Sequence, residues 1–125
     1  MKVNVKPRGR WLKKPEEHDY PAAGSYLTLM YGKENAAKLV KKLKSAKVQE
    51  FKAKDIFRAS GLPLLPPTNI HVKADQERIL DGKKISPLLL VRRPETGKVI
   101  IADGYHRICA VYSVDEDAMI PCQIV

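Results

Sequence analysis

Cysteine is nearly absent from this 125-residue chain, aromatic side chains make up only 6% of it, and its apolar runs are short. Each shortage excludes something. The two cysteines, Cys109 and Cys122, form no CxxC pair and fit no Cys/His ligand spacing. That argues against a disulfide framework or a zinc site and makes a reducing cytoplasm the expected compartment. Both thiols fall in apolar patterns and are expected in the core, where cysteine behaves as a small hydrophobe. The longest apolar runs, 88–91 and 99–102, are far short of the roughly 20 residues that cross a bilayer. No signal-like apolar segment follows Met1, so the chain reads as soluble and intracellular, with no membrane partner.

Acidic residues are scarce in one half only. Residues 1–60 hold 15 Lys/Arg against 6 Asp/Glu, whereas residues 61–125 hold 8 of each, so the whole net charge of +9 is N-terminal. A basic excess of this kind suits an acidic or nucleic-acid partner. Hydrophobic residues amount to 44%, enough for one moderate core.

Along the chain, Pro7, Gly9, Pro15, Pro21 and Gly24 make residues 1–24 an irregular basic arm, partly docked through Trp11, Leu12 and Tyr20. Ser25 is a plausible N-cap, and helical spacing of apolar residues from Tyr26 to Leu43, weakened at Gly32, predicts two helices or one broken helix ending near Lys47. Lys38, Lys41, Lys42 and Lys44 lie away from its apolar stripe, giving a basic amphipathic helix. Loose alternation predicts a strand over 48–56, and the breakers Gly61, Pro63, Pro66 and Pro67 a loop over 57–70. A short helix over 74–80 stopped by Gly82 follows, then strands 87–92 and 99–102 joined by a Pro/Gly turn. A helix beginning at Tyr105 or His106 and a strand over 120–125 close the chain. The expected fold is α+β: a small mixed sheet with packed helices over 48–125, carrying a basic helical N-terminal extension over 1–47.

The chemistry concentrates in Asp103-Gly104-Tyr105-His106-Arg107, a strand end running into a helix start. A helix start presents unpaired amides and partial positive charge, which suits an anion. Gly104 admits close approach of a phosphate to the backbone, and Arg107 has the fork that grips phosphate oxygens. His106 suits phosphate contact or proton transfer. Asp103 suits Mg²⁺ ligation, general-base work, or simply capping the helix.

From about residue 50 onward the chain resembles the ParB/sulfiredoxin superfamily: an early strand near "AKDI", a helix ending in Gly, then "ISPLLLVRR", "GKVIIADGYHRICAVY" and "IPCQIV" in family order. The resemblance implies that the turn before the helix holds nucleotide phosphates through Gly104, Tyr105, His106 and Arg107. It also places His71, Lys73 and Arg78 toward the nucleotide, which would be ATP, ADP or CTP, with Mg²⁺. The nearest variant is the Asp-Gly-His-His-Arg motif of free-serine kinase-like domains, matched here except that Tyr105 replaces the first His, and the glutamate base those kinases use upstream is missing from 67–71. Tyr105 also stands where sulfiredoxins carry their catalytic cysteine, which removes peroxiredoxin repair from consideration. The expected function is therefore nucleotide or phosphate binding, extending to a phosphotransferase or nucleotide hydrolase with Asp103 and His106 as catalytic groups. The alternative is a non-catalytic, DNA-associated module gripping nucleic acid through Lys38, Lys41, Lys42 and Lys44.

Overall fold

The computed structural model describes residues 11–125. It contains α1 (Asp19–Tyr31), α2 (Lys33–Ser45), β1 (Val48–Lys52), α3 (Ala53–Ser60), α4 (Ile70–Leu80), β2 (Leu88–Arg93), β3 (Lys98–Asp103), α5 (Tyr105–Tyr112) and β4 (Met119–Ile124). The fold is α+β. The four strands form one mixed sheet in the order β1-β4-β2-β3. β4 runs antiparallel to β1 and parallel to β2, while β2 and β3 are an antiparallel hairpin.

Alternation along the two central strands divides the core between the sheet's faces. Leu88 and Leu90 of β2, with Ile120, Cys122 and Ile124 of β4, share a cluster with residues of α3, α4 and α5. Leu89 and Val91 instead join Ile100 and Ala102 of β3 under Tyr20, Ala23, Leu27, Ala36 and Leu43 of α1 and α2. α1, which carries no lysine or arginine, and the basic α2 therefore form the layer that covers one face of the sheet. Gln123, a buried polar residue on that side, is satisfied by the Tyr20 hydroxyl, which donates to Oε1 at 2.6 Å, and by donating to the Ala46 carbonyl at 3.0 Å.

Several boundaries differ from the sequence expectation, each for a local reason. α1 starts at Asp19, because Pro21 falls in the first turn, where a missing N–H costs no intrahelical bond. Ser25 lies inside that helix and caps nothing. The break falls at Gly32, whose φ of 81° and ψ of 160° no other residue adopts easily; its N–H closes α1 on Thr28 and its carbonyl opens α2 to Ala36. The strand expected over 48–56 stops at Lys52, because the Ala53 and Lys54 amides turn to the Ala118 and Glu116 carbonyls, and Ala53, Ile56 and Phe57 then recur at helical spacing as α3. α3 and its left-handed cap Gly61 occupy the start of the expected loop. α4 starts at Ile70 rather than Ala74, since the Asn69 side chain accepts from the His71 and Val72 amides at 3.0 and 3.2 Å. At its other end Gly82 donates to the Ile79 carbonyl and Lys83 to that of Arg78, the bond pair of a Schellman stop.

Candidate functional site

The motif sits where β3 ends and α5 begins. The β2–β3 register slips at Leu89/Leu90, so that Leu90 faces Ile101 but Leu89 faces Asp103. The bulge makes Ala102 an extra residue and turns the Asp103 side chain toward the face covered by α1. There Asp103 meets Asp19, a buried carboxyl close enough to share a hydrogen bond with it. Asp19 has other duties: its Oδ2 accepts from the Glu16 amide at 3.0 Å, and its Oδ1 lies 3.4 Å from Nε2 of His18.

Gly104 makes the turn at φ 106°, ψ 15°. Its requirement for glycine is steric as well as conformational, since a Cβ here would stand 2.7 Å from Cγ of Leu88 and 3.0 Å from Nη2 of Arg107. One turn on, the Arg107 side chain folds back under the loop. Its Nε donates to the Ser86 carbonyl at 3.0 Å, and its Nη2 donates to the Pro87 carbonyl at 3.3 Å and to Oδ2 of Asp103 at 2.9 Å. Both partners of that ion pair are only 17% exposed. Arg107 thus ties the start of α5 to the strand entering β2 and holds a fixed positive charge beneath the turn. Asp103 does not cap α5, whose first turn has no side-chain cap. The Tyr105 hydroxyl donates to the Pro63 carbonyl, fastening the loop before α4 to the same turn.

Across from α5, His71, Asp75 and Arg78 recur at helical spacing on α4 and face it. Together with Asp103, Gly104, Tyr105, His106 and Arg107 they line a polar cleft of about 230 Å³. The His71 and His106 rings lie 4.8 Å apart between centroids, tilted by 51°. Arg78 reaches Asp75 at 3.7 Å; its side chain is 63% exposed, against 13% for Asp75. The structure thus brings five of the nominated residues, His71, Arg78, Gly104, Tyr105 and His106, to one cleft with Asp103 and Arg107 at its floor. Lys73 is exposed and lies outside that lining. Sequence reasoning missed Asp75 and Asp19. The first was findable, being one helical turn from His71 and from Arg78; the second was not, because only packing of α1 onto the sheet brings it to Asp103.

The electrostatics follow from burial. Asp103 and Asp75 are both raised above the ordinary carboxylate value of 3.8, chiefly by desolvation, which outweighs the opposing pull of Arg107 on each. His106 is lowered from 6.5, first by burial and then by its neighbour His71, which favours the neutral imidazole at pH 7. The depressed value means that folding stability linked to His106 is complete above pH 6.5 and is lost as pH falls through the folded value. His106→Gln is expected to flatten that acid limb of the thermal midpoint measured between pH 7 and pH 5 by calorimetry. An unchanged limb would place the titration elsewhere.

The thiols behave as expected of core residues. Cys109 and Cys122 are free and buried; burial raises both, Cys122 to about 12, which leaves neither as an available thiolate. Among the described residues no three His, Cys, Asp or Glu side chains are grouped to hold a metal ion, and none of the helices is long and apolar enough to cross a membrane. One oxygen of Asp103, Oδ2, is committed to Arg107. No family model, curated protein or solved structure matches this chain. The reading of the cleft therefore rests on its own geometry.

Proposed function

We propose that the cleft between α4 and α5 binds the phosphate group of a nucleotide, ATP, ADP or CTP, or of another phosphorylated ligand, in a ParB/sulfiredoxin-like turn. The observation that carries the reading is the convergence of His71 and Arg78 from α4 on the uncapped first turn of α5. Unpaired amides and two imidazoles then face one small polar space, with Arg78 able to swing off Asp75 onto an incoming anion. The roles divide by exposure. Arg107 has its Nε and Nη2 donors committed to the protein and supplies a fixed field, whereas Arg78 is the cation free to close on the ligand. His106, kept neutral by burial, suits proton transfer to or from a phosphate or an attacking hydroxyl, which makes phosphotransfer or hydrolysis the reaction class to assay.

Titration calorimetry with ATP, ADP and CTP tests this. Saturable binding is expected, weakened about tenfold by Arg78→Ala, as befits one charged hydrogen-bonding group, with the thermal midpoint unchanged. Absence of heat up to about millimolar ligand would overturn the reading. The second reading, a DNA-associated module, is favoured by one feature: Lys38, Lys41 and Lys42 line a shallow depression on α2 beside Val125. Lys38 also reaches Glu34 at 3.8 Å, and Lys44 sits 5.3 Å from the Tyr20 ring centroid, which leaves Lys41 and Lys42 as the less engaged pair. Failure of nucleotides together with oligonucleotide binding that falls steeply with salt would select that reading.

A further inference from the structure

β3 ends the sheet. Among the described residues it pairs with β2 on one side and with no strand on the other, so its outer row of N–H and C=O groups is open. Two adjoining cavities, about 360 and 280 Å³, follow this edge and share Tyr26, Leu62 and Ile101. Between them they touch every residue of β3, Lys98 through Asp103. One wall is α1, through Tyr26 and Met30, and the other is the end of α3 and the turn after it, through Ser60 and Leu62. The wall side chains are apolar and unusually open: Tyr26 is 43% exposed, Met30 41% and Leu62 37%.

Apart from the bulge at Ala102, near its end, the middle of the strand carries no proline or charge to keep the edge single. Val99, Ile100, Ile101 and Ala102 contribute no proline and no inward charge, and Ile100, Ile101 and Ala102 are buried, so the groove floor offers chiefly backbone. We propose that this groove binds an extended, acidic peptide of a partner protein by strand addition to β3. Six residues of strand span about 20 Å, longer than a base or other small ligand requires and matched to a peptide of similar length. Charge selects the acidic kind. Lys98 at one end has no acidic partner among the described residues, its Nζ lying over Gly61, and the other end opens on the positive end of α5. The single carboxylate lining the groove, Asp103, is neutralised by Arg107. Peptide side chains that alternate would rest on Tyr26 and Met30 on one side and Leu62 on the other.

The test uses the full chain and fluorescein-labelled, capped octapeptides alternating Val with Thr and ending in Glu or in Lys at both termini, read by anisotropy. Saturable binding of the Glu-ended peptide is expected, at least about tenfold tighter than the Lys-ended one. Methylating alternate backbone nitrogens of the peptide removes the ladder donors and is expected to abolish binding in one of its two phases. Met30→Glu and Leu62→Glu, both on exposed positions, are expected to weaken binding about tenfold with the thermal midpoint kept. Any of three results overturns the proposal: no saturation by either peptide up to about 1 mM, equal binding of both methylated forms, or displacement by a single-stranded oligonucleotide from the same groove.

Discussion

Replacing Arg107 with alanine is expected to destabilise the fold by about 3 kcal/mol, lowering the thermal midpoint by roughly 10 °C in a chain of this size. The loss has three parts that act together. Asp103, already raised by burial, loses the ion-pair partner it has among the described residues, and the Ser86 and Pro87 carbonyls lose the donors that join them to α5. An unpaired buried carboxylate relieves itself by taking up a proton. Its folded value, raised from 3.8, should therefore rise further in the variant. A raised carboxyl contributes stability that is present below its unfolded value and lost as pH climbs through the folded one. The gap between wild type and variant should consequently be largest near neutral pH and narrow toward pH 4. Arg107→Lys is expected to rescue little, because one ammonium cannot reproduce donation from both Nε and Nη2. Denaturant unfolding across pH measures all of this, and a variant as stable as wild type at pH 7 would show that the pair contributes nothing.

Gly104→Ala is the second change with a large expected effect, about 2–4 kcal/mol of destabilisation. Two costs add at this position. A φ of 106° lies in the left-handed region, where a Cβ is strained whatever the space around it. The space is also filled, because the new methyl would lie 2.7 and 3.1 Å from Cγ and Cδ1 of the fully buried Leu88. Relief requires Leu88 or the turn to move, and Leu88 belongs to a central strand. Combining Gly104→Ala with Leu88→Val should therefore cost less than the two changes separately, by a coupling that a double-mutant cycle would read. Strict additivity would assign the whole effect to backbone strain. Because Arg107 Nη2 is the other neighbour, at 3.0 Å, the substitution is expected to disturb the ion pair as well.

These two positions show how the site was and was not legible. The motif from Asp103 to Arg107 could be picked out because a strand pattern, a glycine and a helical pattern follow one another without a gap, and a helix start has fixed electrostatic consequences. The direction in which Arg107 points was not legible. Arginine at a helix start reads as a phosphate ligand, but here its side chain is drawn down to Ser86 and Pro87, which precede β2 and lie some twenty residues earlier. Arg78 showed the converse: nominated in sequence only through the family resemblance, it is the cation that the packing of α4 against α5 brings to the cleft, loosely held by Asp75 at 3.7 Å. α3 was missed because 53–60 follows a strand without a breaker, and its start is set by amides turning to carbonyls of Ala118 and Glu116, far along the chain.

The sequence by itself determined whatever depends on local periodicity and local chemistry: the helical pair broken at Gly32, the β2–β3 hairpin, the stop at Gly82, the glycine turn into α5, and the confinement of the net positive charge to the first half. Tertiary structure alone decided what depends on partners far apart in the chain. It inserted β4 between β1 and β2, laid α1 and the lysine-rich α2 over one face of the sheet, brought Asp19 against Asp103, and left the outer edge of β3 without a strand partner among the described residues. The physical reason is range. Backbone torsion and side-chain periodicity act over a few residues, whereas strand order and the burial of a carboxyl are settled by which apolar faces can cover one another at once.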